Sequence, residues 1–309
     1  MQNILSRELI NPDIRFQGFG VARPKTYMHF CHRINQVKHL LLNKGFEKGD
    51  MVGVVNLTCS FDSISILFAL FELGAVTHVS PDILFDSPEL DGFAPDAFNY
   101  RYHKIDREFR LTEMNDEINS NGAKATKGDL WNGAGKKWQN GPSISDNLML
   151  IEYSEIDGWP TEDIQPWEVY ENDCAVLYEL HGWNKWMTQG QMITKARNCI
   201  DIFGFRDKKV GLTKSQHHRS GWEHAILPAL MSAKRAYELP IPDKEPIKQF
   251  YQPITELSSK FIIRYGVELV YGVNEDVIKW INNHFDMDGV EFVNAEFTYG
   301  EIFESPKCV

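Results

Sequence analysis

A chain of 309 residues with a formal net charge of −11 presents no general positive field, so broad affinity for nucleic acid or an anionic membrane surface is not expected. Hydrophobic residues make up 43% and charged residues 24%, the balance of an ordinary globular protein, and 8 Trp with 19 Phe supply bulky core anchors. The cysteines (Cys31, Cys59, Cys174, Cys199 and Cys308) are scattered and form no CxxC pair, which reads as reduced thiols in a cytoplasmic setting. The opening MQNILSRELINPD has no apolar h-region, so no cleaved secretory signal is expected. The longest apolar run, Ile64–Ala75, is interrupted by Glu72 and is too short to span a bilayer.

Tyr27, Phe30, Ile34, Val37, Leu40 and Leu41 stand at helical spacing and predict a helix over 26–44, with Thr26 as N-cap and Gly45 as C-cap. GDMVGVVNL (49–57) is a β-branched run opened by a Gly-Asp turn and predicts a buried strand. Residues 60–73 predict a strongly apolar helix, capped by Ser60 and ended by Gly74, and 75–81 a strand stopped by Pro81. Helix, strand, helix and strand with short connections indicate an α/β fold, a largely parallel sheet covered by helices, read here as a single α/β domain over 1–309. From 82 to 146 the chain turns polar and rich in Asn, Gly and Asp. It reads as an excursion or insertion, either an extended surface segment or a covering loop pinned by Trp131 and Trp138. Strands are predicted again at 147–153 and 173–180, a helix from about Thr188 to Phe203, and a strand at 208–214. Residues 217–239 read as a loop, an apolar helix with Pro228 in its middle, and a strand. Helix and strand alternate over 247–283, and 290–303 is a closing strand and turn. No internal repeat is evident.

The segment from about 25 to 81 resembles the start of the adenylate-forming superfamily, which comprises acyl-CoA synthetases, amino-acid adenylation domains and luciferases. The likeness rests on Thr26-Tyr27 opening a helix, on Lys48-Gly49-Asp50 before a strand, and on Leu73-Gly74-Ala75-Val76 followed by Pro81-Asp82. Later, ENDCAVLYELHG (171–182) is similar to the strand leading into that family's phosphate loop, and Gly190 with MITKARN (192–198) to the helix after it. VGLTKSQHHRSGWEHAILPALMSAKRAYEL (210–239) resembles the segment that carries a substrate-side His or aromatic, a Gly and a Leu-Pro-Ala-Leu helix. Tyr299-Gly300-Glu301 stands where the family has a Gly-Gly-Glu-like turn. The resemblance implies the first half of an adenylate-forming large domain, with 83–146 its least similar part.

The departures are as informative as the matches. A phosphate loop needs small residues so that backbone N–H groups reach the oxygens. Within Leu177–Arg197 the chain instead carries Trp183 and Trp186, with no Ser or Thr before Thr188. If Gly190 closes the loop, Thr188-Gln189 stands where the family has Pro-Lys, and Lys185 is the lysine left nearby. The chain also reaches Val309 before the family's Tyr-Gly-x-Thr-Glu motif, its ribose-binding Asp and the small domain with the catalytic Lys. The resemblance therefore leaves Lys185, Gly190 and Thr194 as a degenerate phosphate site, and His218, Gly221 and Gly300 as walls of a substrate pocket.

Other motifs are weaker. His217, His218 and His224 have no Cys or clustered carboxylate to complete a ligand set, so no metal site is expected. GAGKK (133–137) ends like a Walker loop, but Leu130 stands where the first Gly belongs and no Ser or Thr follows Lys136. His29 and His32 read as a partly exposed helix face. Trp183 and Trp186 are read as core or interface anchors in preference to a base-stacking pair. The expected function is a non-catalytic adenylate-forming-like protein, with no catalytic residue and no cofactor, serving as a structural or interaction subunit with a protein partner or a second copy. The cytoplasm is the expected location, with a virus particle assembled there as the alternative. The competing function is an AMP-forming acid ligase, using ATP and magnesium and completed by a partner chain.

Overall fold

The computed structural model describes residues 4–18, 21, 23–55, 60–79, 108–112, 148–180, 183–213, 222–241 and 252–294. Strands β1 (Arg15–Gln17) and β2 (Lys25–Thr26) precede helix α1 (Tyr27–Asn43), strand β3 (Met51–Val55), helix α2 (Phe61–Glu72) and strand β4 (Val76–Val79). Both helices begin and end where the sequence puts them. Ser60 Oγ accepts the Ser63 N–H at 3.2 Å, as an N-cap does. Gly45 and Gly74, at φ 83° and 68°, take the left-handed conformation that stops each helix. The two N–H bonds that follow reach back in the same pattern: Phe46 to Leu41 and Gly45 to Leu42, Ala75 to Leu70 and Gly74 to Phe71. At the start of α1, the Thr26 N–H donates to His29 Nδ1 at 3.1 Å.

Further along come β5 (Glu108–Thr112), β6 (Leu148–Glu152), β7 (Cys174–Leu180), β8 (Trp183–Thr188) and α3 (Gln189–Phe203). The last part holds β9 (Lys209–Thr213), α4 (Leu227–Ser232), β10 (Arg235–Leu239), α5 (Gln252–Tyr265), β11 (Leu269–Tyr271), α6 (Glu275–His284) and β12 (Glu291–Val293). The chain divides into two compact units, one of Met1–Ile4, Ile34–Leu57 and Ile66–Gln189, the other of Leu5–Arg33, Thr58–Ser65 and Gly190–Val309. Each holds a six-stranded sheet, ordered β6-β5-β3-β4-β7-β8 in the first and β12-β11-β9-β10-β1-β2 in the second. Every pairing is parallel except β7 with β8 and β1 with β2. This is the α/β architecture with largely parallel sheets that the sequence indicates.

Two features differ from the sequence reading, the position of β5 and the presence of β1 and β2. β5 lies inside the segment read as a polar excursion, yet it pairs with β3 from Met51↔Glu108 to Val55↔Thr112 and with β6 on its other side. In EFRLT, Phe109 and Leu111 alternate with polar residues, a period-two signal only five residues long and easily lost among Asn and Gly. Pro228 does stand within a continuous helical stretch: the π-helical turn Trp222–Ile226 passes directly into α4, with Ile226 itself in the right-handed helical conformation (φ −68°, ψ −53°), and a proline at such a place is compatible with a widened turn before it. β1 and β2, three and two residues long, carry no readable period. Among the described residues, no helix is long and apolar enough to cross a membrane.

The motifs behind the family resemblance are where β3 and β4 are tied together. The Gly49 N–H donates to the Gly74 carbonyl at 3.0 Å, and the Val76 N–H to the Asp50 carbonyl at 3.0 Å. Asp50 Oδ2 accepts the Glu47 N–H at 2.9 Å, which closes the turn into β3. These residues therefore set the parallel register of the two strands.

One buried charge organises the rest of the first unit. Residues 30, 34, 37, 38 and 41 fall on the buried stripe of α1, so Lys38 is fully enclosed. Its Nζ donates to Glu72 Oε2 at 3.0 Å, to Gln165 Oε1 at 2.9 Å and to Asp163 Oδ1 at 3.2 Å. Gln165 Nε2 donates on to the Glu72 carbonyl at 2.7 Å, and Trp167 Nε1 to the Leu73 carbonyl at 2.6 Å. Residues 157–173 contain no helix or strand, yet α1 binds them all along. Asn35 and Gln36 donate to the carbonyls of Thr161 and Trp159 at 2.7 and 3.2 Å, and His39 Nε2 to that of Glu162 at 3.0 Å.

Removing one member of a buried ion pair leaves the other charge uncompensated, at a cost of about 3–5 kcal/mol. Lys38→Met is therefore expected to lower the urea midpoint by that equivalent, whereas Lys38→Met with Glu72→Leu recovers most of it. Equal loss in the single and double variants would refute this account of the pair. The single-domain expectation predicts one calorimetric transition, and two separated transitions would mark the units as independent domains.

Candidate functional site

In the first sheet β7 lies between β4 and β8, and β8 returns antiparallel along β7 as an edge strand. The ladder runs from Cys174↔Thr188 to Leu180↔Trp183, with an irregularity between Cys174 and Val176. Only His181 and Gly182 separate the last paired residues. A two-residue connection is the common minimum for joining antiparallel strands. The stretch read from sequence as a tryptophan-bearing loop is therefore mostly strand. Trp and Thr are good strand formers, and LYEL opposite them completes the ladder.

The hairpin is fixed at its far end as well. The Gln189 N–H donates to the Asp173 carbonyl at 3.0 Å, and its buried Nε2 donates to the Phe71 carbonyl at 3.1 Å. Lys48 holds the same corner, its Nζ 2.6 Å from Asp173 Oδ2 and donating to the Glu168 carbonyl at 2.8 Å. α3 follows β8 directly, with no loop between them.

The residues singled out in the sequence fall as follows. Lys185 is in β8, opposite Tyr178, and Trp183 and Trp186 are in the same strand, opposite Leu180 and Leu177. Gly190 is the second residue of α3, and the exposed Thr194 donates its Oγ1 hydrogen back to the Gly190 carbonyl at 2.9 Å. His217, His218, Gly221, Gly300 and the GAGKK stretch lie outside the described residues. His29 and His32 are exposed. His224 is buried in the π-helical turn, with its Nδ1 3.3 Å from the buried Cys199 Sγ. Among the described residues, no group of three or more His, Cys, Asp and Glu side chains could hold a metal ion.

Sequence reasoning passed over Lys38 and Gln189. Lys38 had a signal, a lysine on an apolar stripe with Glu72 interrupting an apolar run elsewhere. Gln189 had none, because its role depends on a carbonyl of α2 far away in the chain.

ATP and magnesium, which this kind of fold implies, are held by closely approaching N–H groups and by charge at the phosphates. Among the described residues here, the Gln189 N–H is engaged by Asp173 and the Thr194 hydroxyl by Gly190. These two engaged groups do not make a cradle of N–H donors for a triphosphate. Cys174 is no candidate nucleophile either, because burial pushes its thiol up to about 11 from 9.0.

No protein-family model and no curated protein matches the sequence. Solved structures do match it. A fatty acyl-CoA synthetase of Mycobacterium tuberculosis gives a TM-score of 0.65 at 11% identity, over 94% of this chain and 54% of that one. The N-terminal domain of FACL13 from the same organism gives 0.67 at 12% identity, over 93% of this chain and 67% of that one. An adenylation domain of a keto acid-selecting NRPS module, bound to keto acyl adenylate, gives 0.65 at 12% identity, over 93% and 51%. The fold is that of the N-terminal part of the adenylate-forming enzymes. The chain spans about half the length of the full synthetase and the NRPS adenylation domain. At these identities the likeness concerns the fold, and the chemistry has to be argued from the residues.

A raised thiol pKa leaves less thiolate at any given pH below it. At pH 8, iodoacetamide is expected to modify Cys174 about a hundredfold more slowly in the folded protein than in urea, as read by peptide mass spectrometry. Equal rates would show that the thiol is not shielded.

Proposed function

We propose that this chain is a non-catalytic relative of the adenylate-forming enzymes that works as a structural or interaction subunit of a larger protein assembly. The observation that carries this reading is the two-residue connection between β7 and β8. The family resemblance expects a Ser/Thr-Gly-rich loop with a Pro-Lys-Gly ending there, and two residues between the paired strands leave little chain length for one. The wide acidic surplus, 43 acidic against 32 basic residues, favours a protein partner over nucleic acid or an anionic membrane. A cytoplasmic assembly, a virus particle included, fits the reduced-thiol composition and the abundance of Trp.

A second reading is an AMP-forming acid ligase completed by a partner chain. It draws support from Lys185, which stands in β8 three residues beyond Gly182, and from solved structures of the same fold bound to an acyl adenylate.

Isothermal titration of the whole protein with ATP plus magnesium, and with AMP, separates the two. The non-catalytic reading expects binding weaker than about 1 mM for both, and Lys185→Ala then changes nothing. Micromolar ATP binding that Lys185→Ala abolishes, or pyrophosphate exchange with any carboxylic acid, would overturn it.

A further inference from the structure

The second sheet opens with a row of like charges. Lys209, Arg235 and Arg15 are the first residues of β9, β10 and β1, three neighbouring parallel strands. The register pairs Lys209 with Arg235 and Arg235 with Arg15, so the three side chains leave one face of the sheet, spaced about 4.8 Å apart. This is the face that α5 covers. Tyr237, two residues beyond Arg235, packs on Phe261 and Tyr265, and Lys209 Nζ donates to the Tyr265 carbonyl at 3.2 Å. Arg15 and Arg235 are exposed, and Lys209 is half-buried.

Like charges facing each other across neighbouring strands repel, so the row calls for a compensating group. Among the described residues, ion pairing does not supply one. Arg15 turns its Nη1 back to the carbonyls of Asp13 and Ile14 at 3.2 and 3.0 Å, Lys209 holds the Tyr265 carbonyl, and no partner engages the Arg235 guanidinium. Other cations at this edge differ: Arg206 lies 2.8 Å from Asp201, and Lys208 lies 2.7 Å from Glu291. The carboxylate in contact with the row is Glu268, whose Oε2 accepts the Lys209 N–H at 2.9 Å. Asp13 and Asp207, in the turns before β1 and β9, form no ion pair with it. The row is thus a local excess of positive charge in a chain whose net charge is −11.

We propose that Lys209, Arg235 and Arg15 bind a phosphate dianion, either free or as the terminal monoester of a small molecule. Guanidinium forks match the geometry of phosphate oxygens, and a doubly charged anion relieves the repulsion within the row. Arg235 stands in the middle, with a cation on each side to converge on the same group. Arg15 keeps its Nε and Nη2 donors for the ligand, because its contacts to the backbone use Nη1. Those contacts, with that of Lys209 to Tyr265, also hold two of the three side chains before the anion arrives. The row is open to solvent, so binding is weak, with a Kd of about 1–10 mM at low salt, and is screened as salt is added. The site belongs to the second unit and shares no residue with the β7–β8 hairpin, so it does not depend on the non-catalytic reading.

NMR titration of the isotopically labelled full chain with inorganic phosphate at low salt, with chloride of equal ionic strength as the reference, tests this at the arginine Nε–H signals. Those of Arg15 and Arg235, identified through Arg15→Gln and Arg235→Gln, are expected to shift and saturate, while that of Arg206 stays in place. Arg235→Gln is expected to weaken binding about tenfold with the melting temperature retained. Lys234→Gln removes an exposed cation outside the row and is expected to change the affinity less than about twofold. Glycerol phosphate as a second probe separates the two sources: tighter binding than inorganic phosphate identifies a monoester as the ligand, and weaker binding identifies free phosphate. Shifts that chloride reproduces, that do not saturate by about 50 mM, or that Lys234→Gln weakens as much as Arg235→Gln would each overturn the proposal. ATP held on this row would be lost in Arg235→Gln and kept in Lys185→Ala, the opposite of what a surviving phosphate loop predicts.

Discussion

An ammonium and a carboxylate enclosed together, Lys38 and Glu72 at 3.0 Å, constrain much of the first unit. Neither charge is tolerable in that place alone, and together they still leave hydrogen-bonding capacity to be met. Gln165 and Asp163 meet it, so a run of chain with no ladder of its own acquires a fixed path. That path continues through Trp167 and Glu168 to Asp173, whose carbonyl receives Gln189 and whose carboxylate meets Lys48. The register of the β7–β8 hairpin is thus linked, through ordinary hydrogen bonds, to a lysine on the first helix.

The frame of this molecule and its chemistry are separate questions. The fold matches that of the synthetase, the N-terminal domain and the adenylation domain at 11–12% identity, because a fold rests on backbone geometry and burial more than on particular residues.

Most of the α/β organisation was legible in the residues. The stripe from Phe30 to Leu41, the all-round apolar α2, and the Ser60, Gly45 and Gly74 signals are local, and local signals survive in sequence. What was not legible depends on partners distant in the chain. β8 reads as a loop until LYEL is set opposite it, and β5 as linker until β3 and β6 flank it. For the candidate site, the substitution of small residues by Trp183 and Trp186 was visible, but the brevity of the turn was not.

The same hairpin is also an insertion point. Its ladder is also held at the open end, by Gln189 and Asp173. Lengthening a loop costs slowly, about 0.6 kcal/mol for each doubling. A glycine- and hydroxyl-rich segment grafted between Leu180 and Trp183 would therefore extend outward from an intact sheet. The connection between these strands is thus a place where added length is cheap, because the bonds at the open end of the ladder lie away from it.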